Sequence, residues 1–115
     1  MRWLIAAVGL LLSMPASAES VRDWTAYAKA LFDHMGITYV CRSEIGEAHY
    51  LAARTIAGEG LLPYAGQEAY NMVDEFDRRF KADKRVVKLT AAQCYKLKSD
   101  AVLKINVERA KLEAE

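Results

Sequence analysis

Cysteine is scarce: the 115 residues hold two, Cys41 and Cys94, and neither has another cysteine or a histidine beside it. Zinc sites usually bring paired ligands at short spacing, and covalent haem needs CxxCH, so neither is expected. Histidine is as scarce, with His34 and His49 alone. GxSxG, HExxH and a glycine-rich phosphate loop are missing, which removes the usual serine-hydrolase, zinc-protease and nucleotide-binding chemistries. Charge of one sign is not in excess either, at 16 Lys+Arg against 15 Asp+Glu. A nucleic-acid or anionic-membrane surface would call for a basic surplus.

Long apolar runs are lacking as well. The longest, Trp3 to Met14, has 12 residues, short of the roughly 20 that span a bilayer. It follows basic Arg2 and is closed by Pro15 and the small residues Ala16-Ser17-Ala18. That order predicts a secretory signal peptide over residues 1–18, cleaved after Ala18, and export to the periplasm. No membrane span would remain. Residues 19–115 would form a single domain of 97 residues, and losing Arg2 would bring it to 15 basic and 15 acidic side chains. In an oxidising compartment Cys41 and Cys94 are expected to form a disulfide. Closing so long a loop is worth on the order of 4 kcal/mol in the chain-entropy view.

The apolar periodicity predicts an all-α domain, a compact bundle of about four helices with one disulfide. A first helix is expected from Val21 to Met35, capped by Ser20 and Asp23 and stopped at Gly36, with Trp24, Tyr27, Ala28, Leu31 and Met35 on its buried face. A second is expected over Tyr39–Ala57. Its core face would be Cys41, Ile45, Ala48, Ala52 and Ile56, beside a strip of small residues, Gly46, Ala53, Ala57 and Gly60. Such a strip lets a neighbour come close, so this helix is expected to be the central one. Gly58-Glu59-Gly60 and Pro63 predict a loop over 58–66. A third helix is expected over Gln67–Lys81, with Ala69, Met72, Val73, Phe76 and Phe80 inward. The last starts at Thr90, whose Gln93 partner completes a capping box, and residues 109–115 are expected to fray. Cys94, Leu97, Ala101 and Ile105 would face the core, with Cys94 tying the start of this helix to the start of the second.

No catalytic residue, cofactor or metal is predicted. Glu44, Glu47 and His49 come nearest to a constellation. Glu47 and His49 would stand about 200° apart on a helix, and the Glu-x-x-His pairs of a di-iron bundle are absent. His34, in the expected last turn of the first helix, reads as a residue whose positive charge the helix dipole would favour. Tyrosine is the residue in surplus, with six. Tyr50, Tyr64 and Tyr70 do not all fit the apolar stripes, and exposed tyrosine is enriched at protein interfaces. Together with Leu61 and Leu62 of the 58–66 loop they form the expected partner-binding surface. The bland alternative, in which Leu61 and Leu62 close the bundle and Tyr64 staples it, stands beside that.

An exported all-helical domain with one cysteine early in its second helix and another leading its last resembles two families. Over Cys41 to about Ala101, with an Ala-rich helix behind Cys41, it resembles the type VI amidase-immunity proteins, periplasmic helical proteins that plug a peptidoglycan amidase. It also resembles the HdeA-type acid-stress chaperones. The first likeness implies a non-enzymatic module that occludes a cell-envelope enzyme. The second implies a chaperone opened by acid, where 15 basic side chains and two histidines would bring the mature chain to about +17 as carboxylates protonate. Either implies a protein partner in the envelope; a homodimer stays open.

Overall fold

The computed structural model describes residues 23–114; the expected signal peptide and its cleavage point lie outside the described residues. Four long helices and one short one follow in order: α1 Thr25–Val40, α2 Arg42–Ile45, α3 Glu47–Ala65, α4 Glu68–Ala82 and α5 Ala91–Glu113. The all-helical architecture is the expected one, with Cys41 and Cys94 joined by a disulfide.

The centre of the bundle is α1, not the second helix. It packs against α3, α4 and α5, while α5 packs chiefly on α1. Two differences at its ends follow from this. Asp23 does not cap from within a helix begun at Val21; its carboxylate accepts the Thr25 N–H at 3.0 Å, and the helix starts there. At the other end α1 does not stop at Gly36. An interior glycine costs a helix roughly 1 kcal/mol against alanine, but burial on three sides outweighs that. A Cβ at Gly36 would stand 3.5 Å from the Phe80 ring, ordinary van der Waals contact, so α4 packs directly over this position. The last turn is secured by Thr38, whose hydroxyl donates to the carbonyls of His34 and Met35 at 2.9 and 3.0 Å.

Cys41 marks the break after α1. The one-turn α2 ends at Gly46, whose φ of 104° lies where only glycine sits without strain, and the chain re-enters a helix at Glu47. The buried face of α3 is the small-residue strip: Tyr50, Ala53, Ala57 and Leu61 are in the core, whereas Ala48, Ala52 and Ile56 are exposed. The expected face was therefore one position out of phase. Small residues win because α1 lies so close: a Cβ at Gly60 would stand 2.6 Å from the Tyr27 hydroxyl.

The loop expected over 58–66 is helical. α3 runs through Gly58, Gly60 and Pro63 to Ala65. Gly58 and Gly60 mark close approach by Tyr70 and Tyr27 rather than a turn. Proline costs a helix the bond to the carbonyl four residues back; that carbonyl belongs to Glu59, an exposed residue in the final turns. The true corner is Gly66, at φ 63°. α4 follows as expected, with Ala69 and Val73 in the core and Met72, Phe76 and Phe80 packed at its edge. The capping box on α5 forms in both directions, Gln93 N–H to Thr90 Oγ1 at 3.1 Å and Thr90 N–H to Gln93 Oε1 at 2.8 Å. Its C-terminal turns do not fray: the helix reaches Glu113, and Leu112, 3% exposed, belongs to the core. Leu97 is more exposed than its place on the stripe suggests.

Candidate functional site

The residues singled out by sequence do not meet on one surface. Leu61 lies in the core under α1, and Tyr50 is buried, its hydroxyl donating to Asp77 Oδ1 at 2.5 Å. Tyr64 is half-buried, edge-on to Tyr27 with 6.0 Å between rings, and Leu62 is half-buried beside it. These placements match the bland alternative, in which 61–64 closes the bundle. Tyr70 alone is well exposed, and it lies against Gly58 on a different face. There is no protruding loop, because the glycines and proline that suggested one are inside α3.

Tyr50 and Asp77 form a structural tie. Asp77 also accepts from Lys81 at 2.9 Å and stands 4.0 Å from Arg54. Burial pushes the Asp77 carboxyl up, but the Tyr50 and Lys81 bonds outweigh it and hold the group below its ordinary value. Burial, with the Asp77 charge, pushes the Tyr50 hydroxyl well up.

His34 does not sit in a last helical turn, where the helix dipole would favour its charge. Because α1 continues past Gly36, His34 is mid-helix and 2% exposed. Neither ring nitrogen has a protein group within hydrogen-bond distance. Burial lowers its pKa, and Lys98 on α5 and His49 on α3 add to the effect. Glu44 and Glu47 are exposed, while His49 stands edge-on to Tyr95 at 6.1 Å.

The feature most suited to holding something else is a groove of about 870 Å³ between α1 and α4. Phe32, Ile37 and Val40 form one wall and Met72, Phe76 and Phe80 the other. Phe32 and Phe76 stack at 4.1 Å on its floor, and Phe80 stacks on Tyr39 at 5.6 Å at one end. The rim charges are already paired, Lys29 with Asp33 at 2.7 Å and Arg85 with Asp83 at 2.6 Å. The Arg85 bonds hold the Asp83 carboxyl down to about 2. With its ionic rim self-satisfied, the groove offers apolar surface and little net charge.

A trace of this groove was present in the sequence. Phe32 falls off the stripe assigned to the first helix, whereas Ile37 and Val40 lie beyond its expected end and share its face only because α1 runs on to Val40. The off-stripe Phe32 was legible; what it faced was not.

In class, the chain is an all-helical domain stapled by a buried disulfide, with an open apolar groove on one side. Comparison with known protein families, curated proteins and solved structures returns no match.

Proposed function

We propose that the chain is a non-enzymatic, exported protein-binding module that takes an apolar segment of a cell-envelope protein into the α1/α4 groove. If that partner is an enzyme, the module is its inhibitor or immunity protein. The observation that carries this reading is the groove itself: two walls of large apolar side chains, with rim charges engaged with each other. A charged small ligand would have to break those pairs, whereas an apolar stripe on a partner leaves them intact.

Val40 is exposed and Ile37 half-buried, so both can change without opening the core. The oxidised protein carrying Ile37→Asp and Val40→Asp should melt within a few degrees of the parent. Its affinity for a stoichiometric envelope partner should fall at least about tenfold, since a desolvated carboxylate in an apolar contact costs more than 1.4 kcal/mol. Full retention of the partner by a folded variant would remove the groove from the interface. A second copy seated in the groove would appear instead as a dimer in light scattering, lost in the variant.

One observation favours a second reading, the acid-opened chaperone. His34, buried without a partner, gives the core a group that must gain charge as pH falls. Client capture restricted to acidic solution would favour it over the groove.

A further inference from the structure

Residues 83–90 join α4 to α5 without helix or strand. Both ends of this strip are fixed. At one end Asp83 accepts the Arg85 backbone N–H at 3.0 Å and pairs with its guanidinium. At the other, Thr90 opens the capping box of α5. Between them Val86 is 79% exposed and Val87 51% exposed. From Val86 to Leu89 no backbone N–H or C=O bonds to another group among the described residues. A connecting segment with free backbone groups and exposed apolar side chains offers a template for strand addition.

The one acid of the strip, Asp83, is paired with Arg85, which leaves its lysines to set the charge. Lys84 and Lys88 flank the two valines, and neither takes part in an ion pair among the described residues. Arg42 lies across the adjoining concavity, its guanidinium 3.8 Å from the Tyr39 ring centroid and donating to the Tyr39 carbonyl at 2.6 Å. This concavity, about 350 Å³, is walled by Tyr39, Val40, Phe80, Val86 and Val87.

We infer that residues 84–89 receive an extended, acidic segment of a partner protein by backbone pairing. Its carboxylates would meet Lys84, Lys88 and Arg42, and an apolar side chain would enter the concavity beside Tyr39. The inference rests on the protein-binding reading but not on the α1/α4 groove being occupied. A second copy of this chain is the poorer occupant. An antiparallel pair centred between Val86 and Val87 would set Arg85 against Lys88 of the other copy, and like charges directly opposite are destabilising. A bilayer is also poorer, because a flat surface leaves the concavity empty.

A labelled synthetic peptide alternating glutamate with valine tests this by fluorescence anisotropy on the oxidised protein. Binding should be saturable, absent for the peptide with lysine in place of glutamate, and weakened by rising salt. Lys84→Glu with Lys88→Glu, both exposed and remote from the core, should weaken it at least about tenfold. N-methylation of alternate peptide amides should abolish it, which charge attraction alone would not require. Ile37→Asp should leave peptide binding unchanged, so failure of the groove and failure of the strip are separately visible. Absence of binding, binding indifferent to the lysine reversals, or lysine-dependent co-sedimentation with phosphatidylglycerol vesicles in place of peptide binding would each overturn the inference.

Discussion

Replacing Cys41 and Cys94 together by alanine is expected to lower stability by about 4 kcal/mol and the melting temperature by roughly 15–30 °C. The bridge joins residues 53 apart in sequence, with 5.8 Å between their Cα atoms, and both cysteines are fully buried. It fastens the end of α1 to the first turn of α5. The placement matters because α5 docks chiefly along α1, with smaller contacts to α2 and, through Tyr95, to His49 of α3. Its contribution to the core is narrow: Ala101, Ile105 and Leu112, with Glu108 held between Lys104 and Lys111. With so few large apolar side chains on α5, the unfolded-chain entropy removed by the bridge is a large part of what keeps it docked. Calorimetry on the oxidised protein, the reduced protein and the double variant measures the effect. A loss below about 1 kcal/mol would mean that α5 holds to α1 by packing alone.

The second large effect is a loss of stability in mild acid. His34 is more easily protonated in the unfolded chain, where its pKa is about 6.5, than in the folded protein, where burial, Lys98 and His49 oppose the charge. The unfolded state therefore binds more protons in that range, and stability falls as pH drops. The contribution of neutral His34 is complete above about pH 6.5 and is lost progressively below it, toward the depressed folded value. No carboxylate is turned toward the ring to offset this. Asp33, next to it on α1, faces out and is bonded to Lys29; Asp77 on α4 is engaged by Tyr50 and Lys81, and Asp100 on α5 by Lys96. Asp77, held below its ordinary value by the Tyr50 and Lys81 bonds, gives up its contribution only at stronger acid. Urea denaturation at a series of pH values should show stability falling below about pH 6.5 by up to about 1.4 kcal/mol per pH unit on account of His34. In His34→Leu, of similar volume and apolar, the slope between about pH 6.5 and 5 should flatten. An unchanged slope in that variant would assign the acid sensitivity elsewhere.

How far the sequence could carry these conclusions differs by element. The Thr90–Gln93 box and the Ala69–Val73–Phe76–Phe80 stripe were legible because each is a local pattern whose partners lie within a turn or two. The disulfide was legible from cysteine count and expected compartment together. The face of α3 was not. Its two candidate stripes have the same period, and the choice between Ile56 and Ala57 depends on how near α1 comes, which is a tertiary fact. Gly36, Gly58 and Gly60 were read as stops because glycine weakens a helix. In the fold they are where Phe80, Tyr70 and Tyr27 pass. The same misreading produced the loop over 58–66 and, with it, the expected cluster of Leu61, Leu62 and Tyr64 on a protrusion. His34 moved from an expected last helical turn to a buried mid-helix position because α1 extends a further turn.

Site-resolved photocrosslinking tests the central claim, that a partner protein enters the α1/α4 groove, most directly. A benzophenone amino acid would replace Ile37 on the groove wall or, in a second protein, Leu103, which is 63% exposed on α5 and does not line the groove. With oxidised protein in solubilised envelope extract, the Ile37 position should yield one discrete adduct of a single envelope protein, and the Leu103 position should not. An adduct from Leu103 alone, or a retained partner that crosslinks from neither position, would place the interface away from the groove and contradict the claim.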